Sequence, residues 1–133
     1  MFYNNIGLFS DGEGERYFSF LRRKICGEAI MRHIHVMRDE KDKKKPIIKL
    51  CEISKFDCVI LLDDLVDSYD SRQIIRQIIA GIRNVCPNVK ILAVSIWDDT
   101  LENESDLNSL ILVGQGEPIK RKCEKIMNLL LIS

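Results

Sequence analysis

The chain has no excess of charge of either sign. Twenty basic side chains balance twenty acidic ones among 133 residues, so there is no general electrostatic reason to bind nucleic acid or an anionic membrane. No apolar run approaches the roughly 20 residues of a membrane span. The start, Met-Phe-Tyr-Asn-Asn, lacks the basic opening and long apolar core of a secretory leader. Five cysteines are an odd number and no two form a C-x-x-C pair, which argues against a disulfide framework or a thiolate metal site. Neither an internal repeat nor a linker is present. What remains is one domain over 1–133, globular by its 46% apolar content and large enough for a single core. The expected location is cytoplasmic. Cys26, Cys51, Cys58, Cys86 and Cys123 are expected to be reduced, small core residues.

The segments alternate in period. Asn5 to Ser10 reads as a short strand and Asp11-Gly-Glu-Gly as a turn. From Glu15, Tyr17, Phe18, Leu21 and Ile25 recur at helical spacing, and Gly27 suits the helix end. Ile30 to Met37 reads as a second strand, in which His33 and His35 share a face. A third metal ligand for that pair is not evident. Arg38 to Lys45 is a run of eight charges read as a solvated loop. Pro46 suits a first helical turn, and Ile47, Ile48, Leu50, Cys51 and Ile53 follow it. Phe56 to Leu62 is apolar on both faces, as a parallel strand covered by helices is.

Asp70 or Ser71 can cap the next helix. Its apolar residues, Ile74, Ile75, Ile78, Ile79, Ile82 and Val85, make the clearest amphipathic stripe in the chain. Pro87-Asn88 breaks it, and Val89 to Ile96 reads as a strand. The acidic stretch from Trp97 to Asp106 has room for only a short helix. Leu110 to Val113 reads as a fifth strand, and Ile119, Cys123, Ile126, Met127 and Leu130 line a closing helix. Five strands separated mostly by helices predict an α/β, doubly wound, parallel sheet with helices on both faces.

Two strands end in acids. The apolar run Cys58-Val-Ile-Leu-Leu leads into Asp63-Asp64, and Ile6-Gly-Leu-Phe-Ser leads into Asp11. Carboxylates at strand ends put negative charge in the crevice where open α/β sheets bind ligands.

From Phe56 to Asp99 the chain resembles the receiver domain of two-component response regulators, and the alternation extends this likeness over nearly the whole length. Receivers typically read F-D-x-V-x-L-D there, then an I-R helix, then a strand ending in Ser or Thr. This chain reads Phe56-Asp-Cys-Val-Ile-Leu-Leu-Asp63, then Ile82-Arg83, then Cys86-Pro-Asn-Val-Lys-Ile-Leu-Ala-Val-Ser95. The resemblance implies a flavodoxin-like sheet of order 2-1-3-4-5. It implies Asp63 as the phospho-acceptor position, with Asp64 if the register slips by one, and Ser95 as the hydroxyl that meets the phosphoryl group. It also implies a Mg²⁺ site at Asp11, Asp63 and a backbone carbonyl near Leu65. Its partners would be proteins (a kinase, a regulator or an output domain), with a homodimer also allowed.

The departures imply a degenerate receiver. Ser10 stands where the acidic pair has its other member. The Lys-Pro of receivers is Glu117-Pro118, a reversed charge where an incoming phosphoryl group needs a cation. Lys120 is a substitute three residues on. The expectation is a non-enzymatic signalling domain that works mainly through protein contact. Its aspartyl phosphorylation and its Mg²⁺ site are then weak or lost, with residual self-phosphorylation from small phosphodonors allowed.

Two other readings compete. Val59 to Ser71 is also similar to the diphosphate-ribose signature of type I phosphoribosyltransferases. Asp63 and Asp64 would then meet ribose hydroxyls and Asp67 to Ser71 a phosphate. Tyr69, where a glycine is expected, and the acids Asp67 and Asp70 oppose that. An unrelated structural subunit with the same sheet is the third reading.

Overall fold

The computed structural model describes residues 5–10, 12, 14–24, 30–36, 44–65, 72–96, 105–114 and 116–132. The elements run in the order β1 (Asn5–Ser10), α1 (Gly14–Lys24), β2 (Ile30–His35), α2 (Lys44–Ser54), β3 (Cys58–Leu61), a 3₁₀ turn (Asp63–Leu65), α3 (Arg72–Val85), β4 (Lys90–Ile96), β5 (Ser109–Val113) and α4 (Ile119–Ile132). All strand pairs are parallel. The sheet order is β2-β1-β3-β4-β5, as the resemblance implies. Every strand therefore ends at the same edge, which is where Asp63 and Asp64 stand.

Alternation of side chains along the strands divides the core in two. Ile6, Leu8, Cys58, Ile60, Leu62, Leu92 and Val94 face α1 and α4, where they meet Tyr17, Leu21, Cys123, Ile126 and Leu130. Phe9, Val59, Leu61, Ile91 and Ala93 face the other way, onto Ile47 and Cys51 of α2 and Ile75, Ile78, Ile79 and Ile82 of α3. Each fully buried Leu or Ile contributes about 1.5–3 kcal/mol. The sheet, apolar on both sides, is stable only with both helix layers in place.

The boundaries differ from the sequence reading in instructive places. α2 begins at Lys44, inside the charged run read as loop, because its first turn needs no buried side chain. The first buried residue of α2 is Ile47. α2 ends with Lys55 in the left-handed region at φ 51°, its N–H donating to the Cys51 carbonyl at 3.0 Å, a cap usually made by glycine. β2 stops at His35, short of the expected Met37. Cys26, the Gly27 helix stop, the cap at Asp70 or Ser71 and the segment 97–104 lie outside the described residues.

Arg83, in the last turn of α3, holds the β4–β5 connection. Its guanidinium donates to the carbonyls of Pro87 (2.8 Å), Val89 and Asp106 (2.9 Å) and to Asn108 Oδ1 (2.7 Å). That same Asn108 oxygen accepts from the Ile91 N–H at 2.7 Å. One rigid five-donor fork thus fixes a helix end, a turn and a returning loop.

Gly7 in β1 is required by a close approach. A Cβ there would lie 2.8–3.0 Å from three atoms of the Phe56 ring. That ring has little room to retreat. It is buried, packed edge-on against Phe9 at 6.1 Å, and covered by the Arg32 guanidinium at 5.4 Å. Gly7→Ala is expected to destabilise the protein by about 1–3 kcal/mol in urea unfolding. Adding Phe56→Leu should cost less than the sum of the two single changes. Strict additivity would show that the ring moves freely.

Candidate functional site

The site lies where β3 leaves the sheet. The pairs Phe9–Leu61 and Leu61–Ala93 close the β1–β3 and β3–β4 ladders. One step on, the Leu62 N–H still donates to the Phe9 carbonyl at 3.0 Å. The chain then tightens into the 3₁₀ turn, with the Leu65 N–H on the Leu62 carbonyl at 3.2 Å. Asp63 and Asp64 start this turn, so their carboxylates stand at the carboxyl edge of the central strand.

Each acid is tied to a different neighbour. Asp63 Oδ1 accepts a hydrogen bond from the Tyr17 hydroxyl at 2.9 Å, and Asp63 Oδ2 accepts one from Lys122 Nζ at 3.2 Å. The ion pair is enclosed, with the Asp63 side chain 7% and the Lys122 side chain 12% exposed. The ammonium also stands 5.9 Å from the centre of the Tyr17 ring, within cation–π range. Asp64 Oδ2 accepts from the Gly12 N–H at 2.9 Å, which ties the turn after β1 to the end of β3. Removing one partner of a buried ion pair costs about 3–5 kcal/mol, because the other charge is left behind.

The reversed charge at Glu117 does not face Asp63. Its two oxygens accept from Lys125 Nζ at 2.9 and 3.1 Å, and the same ammonium donates to the Leu112 carbonyl at 3.1 Å. Gly116, at φ 77°, makes the turn that sends the chain into α4, closed by the Glu117 N–H on the Gly114 carbonyl at 3.1 Å. Lys120 is exposed on α4. The amine that reaches the cleft is Lys122, two residues later.

The other expected site residues fall as follows. Ser95 is half-buried in β4, paired with Leu112, at the same sheet edge as Asp63. Ser10 is buried at the end of β1. Asp11 lies outside the described residues, as does the 67–71 stretch that the phosphoribosyl reading needs. His33 and His35 sit in β2 opposite Leu8 and Ser10. Sequence reasoning placed Tyr17 only on an apolar stripe and did not single out Lys122 or Lys125. A signal existed for two of them. A buried tyrosine hydroxyl needs a partner. A lysine beside the apolar stripe of a helix can lay its stem on the core and carry its amine to an acid.

The described residues around Asp63 do not fit Mg²⁺; Asp11, the other carboxylate of the expected site, lies outside them. A hard cation needs free carboxylate oxygens, and here an ammonium stands on one oxygen and a phenol on the other. Among the described residues, no group of three or more His, Cys, Asp or Glu side chains forms a metal cage.

No model of a known protein family matches this sequence, and neither does any curated protein. A solved structure does match: the crystal structure of a response regulator receiver protein from Sinorhizobium medicae WSM419. Its TM-score is 0.62 at 14% identity, over 96% of this chain and 94% of that one. At that identity the likeness establishes the fold: a flavodoxin-like, receiver-type α/β sheet.

Burial sets the acid–base behaviour around the cleft. Loss of solvent, then the charge and hydrogen bond of Asp63, push the Tyr17 phenol far above its ordinary value of 10.0. Burial likewise pushes the thiols of Cys51, Cys58 and Cys123 from 9.0 up to about 12. These groups stay protonated in the fold but ionise in the unfolded chain near their ordinary values. Their full contribution is therefore present below about pH 9 and is lost as pH rises, by about 1.4 kcal/mol per group for each pH unit. Urea unfolding should show stability falling steeply between about pH 9 and 11. Tyr17→Phe should flatten the part of that fall above about pH 10. An unchanged slope in the variant would show that the phenol ionises freely in the fold.

Proposed function

We propose that this chain is a receiver-like signalling domain that acts mainly through contact with other proteins, with weak or absent phosphorylation of Asp63. One observation carries the reading: both carboxylate oxygens of Asp63 are already engaged inside the fold, by Tyr17 and Lys122. A phosphoryl acceptor must offer an oxygen in line with the donor phosphorus. Here that means breaking a buried hydrogen bond or a buried ion pair first.

Spacing supports the same reading. Counted from Phe56, the receiver pattern puts its acceptor on the sixth following residue, which is Leu62. That side chain is buried in the core facing α1 and α4, and Asp63 comes one residue later, in the 3₁₀ turn. Ser10 in place of an acid reduces the negative charge available for a divalent cation. Receivers generally relay signals to kinases, regulators or output domains and are not themselves enzymes, and the same role is proposed here. A cytoplasmic location is part of the proposal. Among the described residues, no helix is long and apolar enough to cross a membrane.

The phosphoribosyl-binding alternative gains nothing from the fold comparison. An unrelated structural subunit would have been favoured by a strand order other than the one observed.

Incubation with acetyl phosphate and Mg²⁺, read by intact mass and peptide mapping, should leave most of the protein unmodified at Asp63. Stoichiometric labelling there would overturn the proposal. Asp63→Asn keeps an acceptor for Tyr17 and should leave partner binding, once a partner is captured, nearly unchanged.

A further inference from the structure

The cleft at the end of β3 contains two adjacent enclosed carboxylates, and one ammonium from α4 reaches the first of them, Asp63. We infer that Lys122 is a built-in cation that takes the electrostatic place of a divalent metal and makes this cleft metal-independent. The inference depends on the receiver-like reading only for the expectation that a metal would otherwise be there. The contacts themselves stand without it.

The geometry carries it in three parts. Lys122 Nζ sits 3.2 Å from Asp63 Oδ2, longer than the roughly 2.7–2.9 Å of a tight charge-assisted hydrogen bond but in direct contact, so its positive charge already stands on that oxygen. The pair is enclosed, so bulk counterions screen it poorly. Two further oxygens of the acid pair are held by uncharged donors. The Tyr17 hydroxyl takes Asp63 Oδ1 and the Gly12 N–H takes Asp64 Oδ2. These are neutral donors that orient a carboxylate without adding charge.

Glu117 completes the arrangement. Lys125 lies three residues beyond Lys122 on α4 and is held on Glu117 and the Leu112 carbonyl. The helix carries three lysines: Lys120 is exposed, Lys122 stands on Asp63, and Lys125 holds the acid of the preceding loop. The reversed charge at 117 is therefore matched by Lys125, and Lys122 remains as the positive group on Asp63.

Removing the ammonium alone should create an appetite for metal. Lys122→Met keeps the stem and deletes the charge, leaving Asp63 enclosed without its ammonium beside Asp64. Thermal unfolding is measured for the wild-type chain, K122M, K122R and K122M with Asp63→Asn, each in metal-free buffer and with Mg²⁺ at about 10 mM. Sodium chloride at matched ionic strength is the control. The wild type and K122R should not respond to Mg²⁺ beyond the salt control. K122M should melt lower and recover by about 5 °C with Mg²⁺, the gain for a dissociation constant of ~1 mM in a domain of this size. The added Asp63→Asn change should abolish that recovery. Should K122M be unfolded in metal-free buffer, Mg²⁺ titration followed by circular dichroism gives the same readout as recovered structure.

The inference is overturned if Mg²⁺ leaves K122M unaffected, or if it stabilises the wild type equally. Neither result bears on acetyl phosphate labelling, so the receiver-like reading and the built-in cation fail separately.

Discussion

The Asp63 carboxylate is the point on which the top of this molecule depends. It lies where the central strand turns out of the sheet, and it draws one bond from α1 and one from α4. Those helices are far apart in sequence and cover the same face. Their mutual position is set partly by apolar packing and partly by this one anion, whose two oxygens point to two different elements. A buried charge with a single cationic partner tolerates few arrangements. The cleft is therefore organised by what neutralises Asp63, and the pocket chemistry follows from that.

The two-sided sheet explains why such an anion is tolerated. β3 is buried on both faces, and its residues from Cys58 to Leu62 are all inside. The strand has no route to solvent until it ends. The first polar side chains after it must find partners close by, or the turn must open. Tyr17, Gly12 and Lys122 are the partners that the neighbouring elements bring. At the other end of the same layer, Gly7 makes room for Phe56. The Phe56 ring against Gly7 at one end and the Gly12 N–H on Asp64 at the other tie β1 to β3 from both ends.

Much of the fold was legible from residue patterns. The isoleucine stripe of α3 and the apolar run of β3 announced their elements, because a periodic signal averages over many side chains. The start of α2 was not legible. Lys44 and Lys45 belong to a charged run, and nothing in a lysine distinguishes a solvated helix turn from a loop. In the cleft, the acids at strand ends were visible because an apolar run points at them. Lys122 was not, because the search for a cation followed the Glu117-Pro118 loop, whereas the ammonium comes from a helix flank and depends on how α4 rotates over α1. Glu117 read as a hostile charge until its partner, Lys125, was placed. A sequence shows the sign of a charge but not the direction in which it points.

The hydrogen bond from Lys125 to the Leu112 carbonyl bears on how this molecule meets its own kind. β5 is the outermost strand on its side, and an open strand border invites another chain to extend the ladder. Here a lysine spends its amine on a main-chain acceptor of that border, and Glu117 pins the amine there. A newcomer strand would have to evict a charged group to dock. Strand addition along this border of the sheet is thereby opposed.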